Sequence, residues 1–198
     1  NWIENPDVIF PILESLKDDP SLYVRRSVAN NLNDISKDHP EKVMTRCEQW
    51  LDDASKERQW VIKHSLRTLV KAGHPRVFPL LGYDENPKVT TSKLHLSHKK
   101  IILGESLALS FDLTSTATKT QTLVIDFSVT FIKSRGHKTE KVFKWKNVTL
   151  STNETMTLTK NHPFKVITTR QYYAGEHQVT LLINGEAQQK SYFDLVIK

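Results

Sequence analysis

The hydrophobic period of this chain changes once, near residue 93. Before it, apolar residues recur at three- and four-residue intervals; after it, they alternate with polar ones. A helix needs the first period and a half-buried strand the second. The chain therefore reads as multidomain α + β. Helical repeats are expected over 1–83, a linker "DENPKVTTS" over 84–92, and a β domain over 93–198. A length of 198 residues allows two modest cores.

In the helical part, "NPDVIFPILESLKDD" predicts a short amphipathic helix with Val8, Ile12, Leu13 and Leu16 on its apolar face. Ser21 stands as N-cap of a second helix, which stops near Lys37 before "DHP". "PEKVMTRCEQWL" is a third helix with Pro40 in its first turn. "KERQWVIKHSLRTLVKAG" is a fourth, stopping at Gly73, and "HPRVFPLLG" begins another short one. "YVRRSVANNLNDISKDHP" and "WVIKHSLRTLVKAGHP" both run from an aromatic-Val pair to a His-Pro. Tyr23 and Trp60 are 37 residues apart, and His39 and His74 are 35 apart. Helix pairs of that period predict a HEAT-like α-solenoid. About two units are visible, which leads to the expectation of further helices ahead of them.

In the β part, "SLALSFDL", "QTLVIDFSVTFIK", "EKVFKWKNVTL", "ETMTLTK" and "HQVTLLI" read as strands, parted by the turns "RGHK", "STNE", "YYAGEH" and "NGE". Asn184-Gly185 is a hairpin turn. Six or seven short strands in about 105 residues predict an immunoglobulin-like β-sandwich.

The charge is unevenly spread. Residues 1–87 carry 12 Lys and Arg against 14 Asp and Glu, whereas 88–198 carry 16 against 8. A basic domain suits a polyanion, nucleic acid first among them, and it equally suits a β domain with many surface lysines. Cys47 is the single cysteine, so no internal disulfide forms and a reducing cytoplasm is the simpler setting. No apolar run is long enough to cross a membrane as a helix, and the start has no signal-peptide pattern. The sequons at Asn147 and Asn153 read as ordinary strand and turn residues. The eight histidines form no metal pattern, and no phosphate-binding glycine loop or nucleophile elbow is present. No metal or other cofactor is expected.

The asparagines of the second helix need a reason, because Asn and Asp are poor helix formers. On a wheel of about 100° per residue, Val24, Val28, Leu32 and Ile35 form a buried stripe. Arg26, Asn30, Asn33 and Lys37 fall opposite, with Asp34 at their edge. In the fourth helix Ile62, Leu66, Leu69 and Val70 form the core stripe, while Trp60, Lys63, His64, Arg67 and Lys71 share the other face. Stacked in a solenoid, the two outer faces make a cationic groove that suits a phosphate backbone. The plain alternative is a solvated face; the Asn cluster and an outward Trp60 favour a use. Asp34, with Arg25 and Arg26 nearby to hold it ionised, serves either to pair an arginine or to stabilise a developing sugar cation and position water.

"DDPSLYVRRSVANNLNDISKDHPE" followed by "RQWVIKHSLRTLVKAGHP" resembles the bacterial DNA alkylation repair glycosylases of the AlkC branch of the AlkC/AlkD superfamily. "DFSVTFIKSRGHKTEKVFKWK" and "ITTRQYYAGEHQVTLLINGE" resemble the immunoglobulin-like C-terminal domain of the same proteins. The resemblance covers nearly the whole chain. It implies a HEAT-like solenoid that cradles double-stranded DNA and releases alkylated bases of the 3-methyladenine and 3-methylcytosine type. It implies no metal, no deep base flipping, a monomer, and a bacterial cytoplasmic, nucleoid-associated setting. Asp34 matches an acidic position at the family's lesion site and is the expected catalytic residue. Arg25, Arg26, Asn30, Lys63 and Arg67 match positions of its DNA-facing helices, and the wheel adds Asn33, Lys37 and Trp60. By the same resemblance, Arg135, Lys138 and Arg170, in basic loops of the β domain, are expected to contact DNA from the opposite, minor-groove side, against the plain alternative of solvated hairpin tips.

One departure matters. The family carries a further catalytic glutamate in a stretch resembling S-E-G-T-R-P-x-L-P-W, which this chain lacks. The expectation is either a C-terminal part, which binds DNA and excises nothing alone, or a chain that has lost that site. A HEAT and immunoglobulin-like module that only binds DNA or protein is the second reading, and a carbohydrate or adhesion role for the sandwich the third.

Overall fold

A computed structural model describes residues 3–168 and 170–197. The chain divides into two compact units, Asn1–Gly82 and Tyr83–Lys198.

The first unit opens with a 3-10 turn, Pro6–Val8, in which Asn5 Oδ1 accepts the Asp7 N–H at 3.2 Å. Helices follow at α1 Phe10–Leu16, α2 Leu22–Ile35, α3 Pro40–Leu51, α4 Lys56–Ser65, α5 Arg67–Ala72 and α6 Val77–Leu80. The single first helix expected from the sequence is thus two pieces. Pro11 has no N–H to give an upstream carbonyl and is tolerated only in a first turn, so α1 starts at Phe10. The new phase buries Phe10 and Leu13 and leaves Val8 and Ile12 each 58% exposed.

Helix α2 buries Val28 and Leu32 of the expected stripe and adds Ala29 and Asn33; Val24 and Ile35 are only half-buried. The buried face is rotated toward Ala29 because α2 packs against α4 there. Asn33, expected in the groove, is therefore 3% exposed.

The fourth helix is also two pieces. It breaks at Leu66 (φ −91°, ψ 4°), just after the buried Ser65, whose Oγ donates to the Val61 carbonyl at 2.8 Å. Such back-bonding bends helices. The break frees the His64 carbonyl and the Thr68 N–H. Arg67 Nη1 donates to the first at 2.7 Å, and Asn33 Oδ1 accepts the second at 3.2 Å. Asn33 thus caps the N-terminus of α5 from a neighbouring helix, which is a reason for an asparagine inside α2. Gly73, at φ 69°, ends α5: its own N–H reaches the Val70 carbonyl and the His74 N–H reaches that of Leu69.

Among the described residues the second unit holds nine strands: β1 Val89–Thr91, β2 His95–Leu96, β3 Lys100–Ile102, β4 Ser106–Ser115, β5 Gln121–Ile132, β6 Lys138–Leu150, β7 Thr155–Pro163, β8 Gly175–Ile183 and β9 Glu186–Val196. One sheet joins β4 to β1, β2 and β7; the other runs β3-β9-β8-β5-β6. All pairings are antiparallel except β3 with β9. Inward residues of both sheets form one core, among them Leu107, Leu109, Phe127, Val129, Leu158 and Phe193. Trp145 of β6 donates Nε1–H to the Thr159 carbonyl of β7 at 3.1 Å and so joins strands of different sheets.

Residues 84–92 are built into this unit. β1 pairs with β4, Asp84 Oδ2 accepts the Thr122 N–H at 2.9 Å, and Asn184 Nδ2 donates to the Asp84 carbonyl at 2.7 Å. The alternating "KVTT" completes a sheet edge, which a linker would not do. Asn147 is half-buried and donates to Tyr83 Oη at 2.5 Å, and Asn153 (φ 58°) sits in a turn. Edge strand β6 carries the exposed Lys138, Lys141, Lys144 and Lys146, charges that discourage edge-to-edge pairing.

Candidate nucleic-acid interface

On the first unit, α2, α4 and the start of α5 bring Asn30, Trp60, His64 and Arg67 together. Asn30 Oδ1 is a shared acceptor, 3.1 Å from Arg67 Nη2 and 3.3 Å from His64 Nε2. The Trp60 indole lies flat on the His64 ring, with centroids 4.9 Å apart and planes at 8°. Trp60 is therefore half-buried rather than freely outward. Burial, and then the charges of Arg67 and Arg26, pull the His64 pKa below the ordinary imidazole value. The neutral ring then donates from Nε2, and the Asn30 amide is oriented with its nitrogen as the donor end. Arg26, Lys63 and Lys71 are exposed around this cluster. Cations around an oriented amide and a flat aromatic surface suit phosphate and sugar. His64 shares the outer face but was not among the expected site residues; its spacing of four from Trp60 was the available signal.

Other expected residues stand differently. Arg25 is half-buried, and its Nη1 donates to the Asp19 and Pro20 carbonyls at 2.6 and 2.9 Å, which braces the turn into α2. Asn33 serves α5 as described. Lys37 pairs with Asp34 at 2.6 Å, the two side chains being 55% and 67% exposed. The partner of Asp34 is thus this lysine one turn on, and not Arg25. Asp34 borders a hollow of about 360 Å³ with Ile3, Pro6, Ile9, Ile35, Asp38 and His39.

On the second unit, Arg135 (φ 59°) and Lys138 are exposed at the β5–β6 hairpin tip. Arg170 is not an open cation. Its guanidinium carbon lies 4.2 Å from the Phe131 ring centroid and 5.6 Å from that of Tyr172, and the residue is half-buried. Nearby, His162 is packed against Phe143 at 4.4 Å, and burial, then Arg170, Lys160 and Lys141, lower its pKa to about 4. Among the described residues no three His, Cys, Asp or Glu side chains stand close enough to hold a metal, and no helix is long and apolar enough to cross a membrane.

Residues 90–197 match the family of the C-terminal Ig-like domain of the uncharacterised protein YhaZ. The YhaZ protein of Bacillus subtilis (strain 168) is 40% identical over 191 residues, which is 96% of this chain and 53% of that protein. The structure of Pseudomonas fluorescens alkylpurine DNA glycosylase AlkC, bound to DNA containing an abasic site analog, matches with a TM-score of 0.94. It is 40% identical, over 98% of this chain and 54% of that one. The chain belongs to the AlkC branch. Its second unit is the immunoglobulin-like domain of that branch. The chain spans about half the length of the relatives it matches.

Proposed function

We propose that this chain is the C-terminal, DNA-holding part of a base-excision repair glycosylase. The enzyme hydrolyses the N-glycosidic bond of N-alkylated bases, of the 3-methyladenine and 3-methylcytosine type, without deep base flipping. The observation that carries this reading is the 40% identity over 98% of the chain to a glycosylase held on DNA. In it, the helical unit is a segment of a HEAT-like solenoid and the second unit an immunoglobulin-like sandwich. The protein acts as a monomer in the bacterial cytoplasm, at the nucleoid, where its substrate is.

An alkylated base is cationic and leaves with the electrons of the glycosidic bond. The protein then has to hold the backbone, stabilise the sugar cation and direct water to it. Arg26 and Lys63 neutralise phosphates, and the Asn30–His64–Arg67 cluster orients donors toward the backbone. Asp34 provides the carboxylate; DNA draws Lys37 to a phosphate and leaves the acid facing the sugar.

The test is release of base from methylated duplex DNA by this chain, by a protein of the relatives' length that carries it, and by that protein with Asp34→Asn. The expected result is release by the long protein, a fall of about 100-fold or more in Asp34→Asn, and no release by this chain. Each of Arg26→Ala and Lys63→Ala should lower the salt slope of binding by about 1. No release by the long protein from any lesion would leave the binding-module reading in its place.

A further inference from the structure

Among the described residues of the first unit, the most exposed large hydrophobic side chain is Tyr23, at 78%. It stands in the first turn of α2. Its backbone is held on both sides. Arg25 braces the Asp19 and Pro20 carbonyls before it, and Ser27 Oγ donates to the Tyr23 carbonyl at 3.1 Å. A fixed ring left open to water on a built helix is an interface feature, since tyrosine offers an apolar body and a polar tip.

The rotation of α2 decides where this ring points. Val28, Ala29, Leu32 and Asn33 are the buried side. Asn30 and Asp34 follow Tyr23 by seven and eleven residues. At about 100° per residue, Tyr23 lies within about 20° of each of them and faces away from the buried side. At about 1.5 Å per residue, Asn30 stands about 10 Å and Asp34 about 16 Å further along the same line. Exposed Arg26, one turn on, stands beside it.

The repeat explains why this ring is open. Tyr23 and Trp60 hold equivalent places, 37 residues apart, in α2 and α4, which pack together. Four residues after Trp60 comes His64, whose ring covers the indole at 4.9 Å. Four residues after Tyr23 comes Ser27, whose hydroxyl turns back to the backbone. The same position is closed in one helix and open in the other.

We propose that Tyr23 holds the sugar-phosphate backbone of duplex DNA to one side of the lesion, its hydroxyl donating to a phosphate oxygen and its ring lying on a deoxyribose. This rests on the DNA reading above and adds an uncharged contact that neither the charge pattern nor the resemblance supplies. DNA backbone is the committed occupant because Tyr23 shares its line with Asn30 and Asp34 and its flank with Arg26. A span of about 16 Å is at most about five base-pair rises of 3.4 Å, so the contact flanks the sugar that Asp34 faces.

The experiment uses the protein of the relatives' length and duplexes with and without an abasic-site analogue. Tyr23→Ala is expected to bind both duplexes on the order of tenfold more weakly. Its salt slope should be unchanged, because no phosphate charge is neutralised by a phenol. Its melting temperature and its single-turnover base release at saturation should also be unchanged. Tyr23→Phe should lose about threefold in affinity, the share of one neutral hydrogen bond. Wild-type affinity in Tyr23→Ala overturns the contact, and wild-type affinity in Tyr23→Phe overturns the phosphate bond. A melting temperature lowered by several degrees also overturns it, since the ring would then be packed against protein. So does a salt slope lowered by about 1, since the loss would then belong to a displaced Arg26. Failure of wild type to bind either duplex overturns the DNA reading itself, and is distinct from these results.

Discussion

Replacing Asn33 by alanine tests the cap that joins α2 to α5. Asn33 is 3% exposed, and its Oδ1 accepts the Thr68 N–H at 3.2 Å. Thr68 is half-buried and lies in the first turn of α5, where no intrahelical carbonyl is available to its N–H. An unsatisfied donor in such a place costs about 1–3 kcal/mol, and loss of an N-cap typically about 1 kcal/mol. These describe the same bond, so they do not add, and the void left by the carboxamide brings the expectation to about 2 kcal/mol. With a urea slope of about 1–3 kcal/mol per molar, the midpoint of the helical unit falls by roughly 1 M. Native-state hydrogen exchange gives the local reading. The Thr68 amide should exchange about 30-fold faster, more than that of Val70, whose N–H keeps the Leu66 carbonyl at 2.9 Å. Arg26→Ala, on the exposed face of α2, is the control and should stay within about 0.5 kcal/mol. Were Asn33→Ala no more costly than Arg26→Ala, with Thr68 exchange unchanged, the trans-cap argument would be wrong. A loss of DNA binding with full stability would return Asn33 to the groove.

His162 sets a pH dependence in the second unit. Its folded pKa of about 4 lies below the ordinary 6.5, so the unfolded chain binds the proton first. The stability is full above about pH 6.5 and is lost as the pH falls from there to about 4, by up to about 3 kcal/mol. His162→Phe should remove this slope in urea melts taken across that range, and an imidazole titrating near 6.5 in the folded protein by NMR would contradict it. Cys47 is fully buried, and burial, then the charge of Glu48, pushes its thiol up to about 12. It should react with a disulfide reagent only as fast as the helical unit opens; rapid modification of folded protein would show that the α3 face is accessible.

The elements whose local signals agree were readable from the sequence. Pro40 at the start of α3 and Gly73 at the end of α5 mark boundaries through backbone chemistry alone. The alternating segments of the second unit became strands for the same reason: side-chain direction in a strand follows from the backbone, whatever lies beside it. The resemblance, carried by long motifs in both halves, gave the family before any coordinate did.

Packing partners were not readable. The wheel put Asn33 and Asn30 on one polar face, yet one is buried in a cap and the other holds Arg67 and His64. A wheel knows the angle of a residue about its own helix and nothing of the helix beside it. Arg170 is the same case in the β unit: as a loop cation it invites a phosphate, and the fold brings Phe131 beneath it. Apart from β1, read as linker, and the breaks that split the first and fourth helices, the chain alone determined which segments are helix and which are strand, because period and caps are properties of neighbouring residues. Only the tertiary structure decided which polar side chains face solvent, because burial depends on residues 30 or more positions away, as Asn33 and Thr68 are.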